Sequence, residues 1–393
     1  MSTESIVILA AKRTPIGAFQ GVLSPATAPQ LGSAAIRGAL AAAGVVPADV
    51  QEVIMGCVLA AGLGQAPARQ ASLGADIPIG TPTTTINKMC GSGMKAVMMA
   101  ADSLRTGDIG LAVAGGLESM SNAPYLLPKA RTGYRMGHGE ILDHMFYDGL
   151  QSPWDKQLMG CFADQTAKKY GVTREQQDAF AAESVRRALH AVKSAAFQNE
   201  ITPVTIQGRK GTTLIEQDET PFACDVSKIT TLKPAFSKEG TVTAASSSSI
   251  SDGAAALVLA SSSVAATKGL KAVARIVAYG SHAHAPEWFT TAPVGALHKV
   301  LQQAGWRADD VDLYEINEAF AIVTMAATQE LKLDPARVNI HGGACALGHP
   351  IGATGARIIA TLISALQQQG GKRGIATLCI GGGEATAMAI ELL

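Results

Sequence analysis

The sequence has no net charge to offer a polyanion. Lys and Arg together number 32, Asp and Glu also 32, so no bulk field recruits nucleic acid or an anionic membrane. It has no near-uninterrupted apolar run of about 18 residues, the length a membrane-spanning helix needs. Its opening residues, MSTESIVILAAKRTP, lack a basic stretch ahead of a long apolar one, so no secretory leader is indicated and a cytoplasmic location is expected. Its six cysteines (Cys57, Cys90, Cys161, Cys224, Cys345, Cys379) form no C-x-x-C pair, which argues against a zinc knuckle or a disulfide framework. Reduced thiols and no metal site are expected. Charged residues are scarce at 16% and hydrophobic ones reach 47%, so 393 residues can bury one or two substantial cores in two or three domains.

What the chain does have is an internal repeat. GSAAIRGALAAAGVVPADVQEVIMG (32 to 56) and PVGALHKVLQQAGWRADDVDLYEIN (293 to 317) each read as an amphipathic helix, an Ala-Gly stop, a short acidic turn and an apolar strand. Ala43-Gly44 corresponds to Ala304-Gly305 (304 − 43 = 261), and the same offset carries Asp49-Val50 onto Asp310-Val311 and Gly91 onto Gly352. SDGAAALVLAS (251 to 261) matches GEATAMAIELL (383 to 393) at a much shorter offset, so the first half must carry an insertion over about 117 to 249. The insertion holds most of the aromatics and a long charged helical pattern over 173 to 197. Strand alternating with helix, twice over, implies two α/β halves with buried sheets and helices packed outside. The reading divides the chain into a first half (1 to 116 with 250 to 270), an inserted domain (117 to 249) and a second half (271 to 393).

Three places carry chemistry. In INKMCGSGMKAV, Cys90 stands between an apolar strand and a helix, with Gly91 and Gly93 allowing a tight turn; a thiol at a helix N-terminus is favoured as thiolate. A buried structural thiol is the plainer alternative. In GGACALGHPIGATGAR, His349 occupies the matching turn of the second half, where a ring can act as base. Asn317 in EINEAF ends a repeat strand, where an amide can orient water or an oxyanion, or can simply form a turn.

These motifs, CGSG (90 to 93), NEAF (317 to 320), GHPIG (348 to 352) and CIGGG (379 to 383), together with GTVTA…DGAAA (240 to 256), resemble thiolases: acetyl-CoA acetyltransferases and 3-ketoacyl-CoA thiolases. The resemblance implies duplicated α/β halves layered α-β-α-β-α, with the insertion as a loop domain that grips coenzyme A. It implies that Cys90 attacks an acyl-CoA thioester while His349 takes its proton, and that Cys379 is a second acid/base for the enolate step. The N–H of Gly381 would pair with that of Cys90 at the thioester oxyanion, and Asn317, through a water, would hold the enolate oxygen with His349. Leu158, Met159, Phe236, Ala244, Ser248, Phe289, Ala319 and Phe320 would line the pantetheine and acyl channel. Substrates would be acetyl-CoA, 3-ketoacyl-CoA and CoA, with no tightly bound cofactor, and the assembly a homotetramer of paired dimers with 119 to 139 as a projecting arm.

The sequence also departs from the better-known biosynthetic members. Leu158 stands where they have a histidine, Phe222 where an arginine follows the Asp-Glu of the loop domain, TAASSSSI (243 to 250) replaces TAGNASG, and His341 replaces an asparagine. These changes fall on the CoA grip and acyl specificity. Two other readings make different demands. A ketoacyl-synthase-like condensing enzyme pairs its cysteine with two histidines, against which Cys379 argues; a non-catalytic acyl-CoA binding protein would not need Cys90, His349, Asn317 and Cys379 all intact.

Overall fold

The structure, a computed structural model, describes residues 4–208 and 211–393. One half contributes strands β1 (Ile6–Arg13), β2 (Glu52–Gly56), β3 (Thr83–Ile86), β4 (Leu111–Ser119) and β5 (Ser251–Ser261); the other contributes β6 (Ala274–Ala283), β7 (Leu313–Ile316), β8 (Arg373–Ile380) and β9 (Glu384–Leu392). They are hydrogen-bonded in the order β7-β8-β9-β6-β1-β5-β4-β2-β3, with the short strand Gly17–Ala18 added on β5. The two halves meet at a narrow seam, the pairs Val7↔Arg275 and Ile8↔Ala274. Each half repeats one scheme: parallel pairs (β2 with β3 and β4; β7 with β8) beside an antiparallel strand that closes it (β5; β9).

The helices that bear on the site are α1 (Ala28–Ala43), α2 (Ser92–Thr106), α3 (Met159–Tyr170), α4 (Arg174–Lys193), α5 (Ala292–Ala304), α6 (Ala321–Leu331) and α7 (Thr354–Gln369). The Ala-Gly stops behave as the repeat implies: Gly44 and Gly305 close α1 and α5 in the left-handed conformation, at φ 66° and 67°. α1 and α5 bury apolar faces against opposite outer sides of the halves. Helices pack on the outside except α2 and α7, which form the central layer that the α-β-α-β-α arrangement requires. They lie against each other between the two sheets, in one apolar cluster with residues of β1, β4, β5, β8 and β9. α7 is buried all round from Thr354 to Leu366, because a helix with sheet on both sides has no face left for water. The result is the five-layer arrangement α-β-α-β-α.

Residue 120 leaves the sheet and residue 250 re-enters it at one end of two neighbouring strands, since Ser119 of β4 pairs with Asp252 of β5. The intervening chain carries α3, α4 and two short hairpins. α4 falls inside the charged pattern and starts on a Thr173/Gln176 capping box, which satisfies two otherwise orphan N–H groups. A buried ion cluster ties this chain to the first half. Asp218 accepts two hydrogen bonds from Arg13, at 2.7 and 2.9 Å, and Glu200 bonds the same guanidinium and the Thr361 hydroxyl of α7. Residues 127–141 form an exposed arm.

Candidate active site

The parallel strands deliver the candidate residues to one end, the carboxyl edge where α/β sheets bind ligands. β3 runs into Cys90, which precedes α2. Asn317 follows β7 and stays registered to β8 through its N–H, which donates to the Thr377 carbonyl at 3.0 Å. Cys379 lies at the end of β8, and His349 in the turn before α7. The two glycine turns press on each other across the central layer. A Cβ on Gly93 would stand 2.8 Å from Ala356 N and 3.1 Å from Gly352 O, so the backbones approach only because no side chain intervenes.

The nucleophile turn is built differently from expectation. Gly91 has an ordinary φ of −80°; its missing Cβ makes room for Ile380, beside Cys379. The left-handed residue is Met89 (φ 47°), immediately before Cys90, a conformation that costs a non-glycine residue roughly 1–2 kcal/mol. Local bonds hold it there: Asn87 Oδ1 accepts from Met89 N–H (2.9 Å), Ser92 Oγ accepts from Lys88 N–H (2.8 Å), and the Ser92 hydroxyl donates to Met89 O (2.6 Å). Lys88 also pairs with Glu384, joining this turn to the glycine turn after Cys379.

An apolar cavity of about 360 Å³ opens onto Cys90, His349 and Gly381. Its walls include every residue expected along the channel: Leu158, Met159, Phe236, Ala244, Ser248, Phe289, Ala319 and Phe320. Ser248 is anchored by its N–H to the Ala319 carbonyl at 2.9 Å. Phe289 stacks edge-on to Phe162 and Phe320, with ring centroids 6.3 and 6.4 Å apart, and belongs to the cluster that buries Cys379. Cys379 and Asn317 are not on the cavity wall; they lie buried just behind it. A Cβ on Gly381 would stand 3.5 Å from Met159 Sδ, and the turn's left-handed positions are Gly382 and Gly383.

Electrostatics correct one expectation. Burial pushes the Cys90 thiol up to about 11, although the N–H groups of Gly381 and of Cys90 itself pull it down. Desolvation therefore outweighs the helix terminus, and the resting nucleophile is a neutral thiol. Cys379 is raised as well, by burial and then by the nearby Cys90, so once ionised it is a stronger base than an exposed cysteine. His349 moves the opposite way, down to about 3, through burial and then the charge of Arg357, and stays neutral at physiological pH. Its Nδ1 lies 2.6 Å from Thr354 Oγ1, which is also 3.0 Å from the Pro350 carbonyl. With the hydroxyl donating to Pro350, Nδ1 carries the ring proton and Nε2 has a free lone pair; turned onto Nδ1, it makes Nε2 the donor. Nε2 and Asn317 Nδ2 are both buried, without a hydrogen-bond partner among the described residues.

One residue that sequence reasoning passed over is Glu118. It is the penultimate residue of the wholly buried strand β4, accepts from the N–H groups of Val58, Leu59 and Gly352 at 2.9–3.1 Å, and is raised by burial to about 7. A single carboxylate closing an apolar strand was the signal available. By holding Gly352 it fastens the His349 turn to the first half. Of the departures, Leu158 lines the cavity and Phe222 is 55% exposed on a short turn, while the Asp218-Glu219 pair before it binds Arg13 and the N–H groups of Ala18 and Val22. His341 is buried edge-on to Phe197, at 5.8 Å between centroids.

Comparison with known proteins agrees with this layout. Residues 6–263 match the profile of the thiolase N-terminal domain and residues 270–392 that of the thiolase C-terminal domain. An acetyl-CoA acetyltransferase of Pseudomonas aeruginosa is 48% identical over 389 residues, covering 98% of this chain and 99% of that one. One from Saccharomyces cerevisiae is 47% identical over 395 residues, covering 99% of each. The Bacillus anthracis acetyl-CoA acetyltransferase superposes with a TM-score of 0.97 at 42% identity, covering 100% of this chain and 99% of that one. The Acat5 thiolase of Ascaris suum, solved in complex with coenzyme A, gives 0.94 at 42% identity, covering 99% and 100%. With the two domain profiles matched over residues 6–263 and 270–392 and relatives this similar over nearly their whole length, the chain belongs to the thiolase family.

Proposed function

We infer that the chain is an acyl-CoA thiolase, which joins two acetyl-CoA into acetoacetyl-CoA and CoA and, in reverse, cleaves short to medium 3-ketoacyl-CoA. The observation that carries this is the convergence of Cys90, His349 and Gly381 on one apolar cavity with Cys379 packed behind it. In the first half-reaction the Cys90 sulfur adds to the thioester carbonyl as its proton passes to His349 Nε2. The N–H groups of Cys90 and Gly381 receive the developing oxyanion, a type of contact whose loss costs about 10²–10³ in rate. Collapse breaks the carbon–sulfur bond of the thioester, and His349 returns the proton to the departing CoA thiolate. In the second half-reaction Cys379, first ionised by giving its own proton to solvent, takes a methyl proton from acetyl-CoA, and the electron pair of that bond moves into the enolate. The enolate oxygen faces donors from His349 and, through a water, Asn317. The enolate carbon then attacks the acetyl-Cys90 carbonyl, the pair leaves on Cys90 sulfur, and the proton held by Cys379 returns to it.

The walls support pantetheine and acyl binding by Leu158, Met159, Phe236, Ala244, Ser248, Phe289, Ala319 and Phe320. The exposed arm of 127–141 supports assembly into a homotetramer, and a cytoplasmic setting fits the free thiols. Intact-protein mass spectrometry after mixing with acetyl-CoA tests the chemistry. Wild type should gain one acetyl group and release CoA, Cys90→Ala should gain none, and Cys379→Ala should be acetylated yet lose condensation by several orders of magnitude. An acetylated Cys90→Ala protein would overturn the assignment.

A further inference from the structure

Thr354 opens α7, and one turn along it the chain buries an arginine, Arg357, 2% exposed between the sheets. Placing a guanidinium in such a layer costs several kcal/mol unless its charge is answered. Against the burial that pulls its pKa down, its charged form is favoured by Glu315 first and then by Glu200 and Glu318. Glu315 Oε2 lies 3.7 Å from Nη1, and Asn317 Oδ1 accepts from Nη2 at 3.5 Å, while Nε and Nη1 have no hydrogen-bond partner among the described residues. Glu315 lies in β7 and Asn317 just beyond its end, two residues on, and both side chains reach Arg357. The same charge is the second influence, after burial, that keeps His349 neutral.

A guanidinium has five N–H donors and no acceptor, so whatever faces it must present an oxygen. Asn317 is thereby obliged to turn Oδ1 toward Arg357. Because the amide is planar, Nδ2 must then point away, and Nδ2 is the buried atom left without a partner. An asparagine with no such neighbour has little to distinguish its two ends, since oxygen and nitrogen are nearly the same size. Turned by 180° it would meet an enolate, or the water that holds one, with an acceptor instead of a donor.

We propose that Arg357 is a positioning residue for carbon–carbon bond formation: by holding Asn317 Oδ1 it fixes the amide so that Nδ2 donates toward the enolate oxygen. The proposal rests on the enolate role given to Asn317 above. It assigns Arg357 no contact with the groups that acylate Cys90: the oxyanion is served by the N–H groups of Cys90 and Gly381, and burial, the larger influence on His349, keeps that ring neutral without the arginine.

The test is a double-mutant cycle on the full-length protein, with two readouts: the rate of Cys90 acetylation by acetyl-CoA, followed by quenched mass spectrometry, and kcat and KM for acetoacetyl-CoA synthesis. Arg357→Met should acetylate within about threefold of wild type and lose about 10- to 100-fold in condensation kcat, part of the loss typical of a missing oxyanion donor, with KM little changed. Arg357→Lys, which keeps a charge and a donor, should recover part of that loss; it also carries the test if the methionine variant does not fold. In an Asn317→Ala background, neither substitution should slow condensation further. Equal losses in acetylation and condensation, or full additivity with Asn317→Ala, would refute the proposal while leaving the role of Asn317 intact. If Asn317→Ala alone condenses at the wild-type rate, the enolate role fails and this proposal with it.

Discussion

Replacing Phe289 with alanine should change which acyl chain the protein prefers. The ring is 3% exposed, lines the cavity with Leu158 and Met159, and is held edge-on by Phe162 and Phe320. Leu158 leaves this end of the cavity apolar, so an added methylene finds apolar contact and not an unpaired polar group. Each buried methylene is worth about 0.8 kcal/mol, or roughly fourfold in an equilibrium or rate ratio. Two further carbons accommodated in the space of the lost ring should raise the kcat/KM of a C6 over a C4 3-ketoacyl-CoA by about 15-fold relative to wild type. The same truncation leaves a void and should destabilise the fold by about 3–5 kcal/mol, so the melting temperature must be followed alongside. Thiolysis of C4 to C10 3-ketoacyl-CoA substrates by both proteins is the assay. A lowered melting temperature with an unchanged chain-length profile would show that Phe289 packs the core without shaping the acyl pocket.

Three further outcomes are expected. Because the Cys90 thiol sits at about 11 and His349 at about 3, the neutral pair persists across the intervening range, and in Glu118→Gln, which removes the nearby carboxyl that acts on Cys90, the rate of Cys90 acetylation should be flat from pH 5 to 9; an inflection near 6.5, the ordinary histidine value, in that variant would contradict this. Glu118, raised from 4.5 to about 7 by burial, keeps a proton in the native state that the unfolded chain releases, so stability should fall as pH rises through that window. Glu118→Gln should flatten the melting-temperature profile between pH 5 and 7, and an unaltered slope would show that the carboxyl does not titrate there. Light scattering at micromolar concentration should find a tetramer, reduced to a dimer when residues 127–141 are shortened to a tight turn; a monomer in the intact protein would count against any such assembly.

Much of the architecture could be read from the sequence because a duplicated pattern is a local signal. The Ala-Gly stops at 44 and 305 encode left-handed helix ends, and the 261-residue offset sets one half on the other before any contact is known. Cys90, His349 and Asn317 could be singled out for the same reason, since each stands beside glycine, proline or a strand end in a short motif, whereas only the resemblance to thiolases singles out Cys379. What the sequence could not decide depends on neighbours far away in the chain. Helix periodicity says that a helix has an apolar face, but only the packing of two sheets on α2 and α7 buries α7 all round. A helix N-terminus suggests a thiolate at Cys90, whereas the burial that wins there involves chain hundreds of residues away, since Cys90 packs against clusters that contain Leu378 and Ile351. Glu118 and Arg357 read as ordinary charged residues in sequence. Their roles arise from backbone N–H groups at 58, 59 and 352 and from an amide at 317, partners that tertiary structure alone brings within 3.5 Å, because hydrogen bonds and desolvation act over ångströms in space and not over positions in the chain.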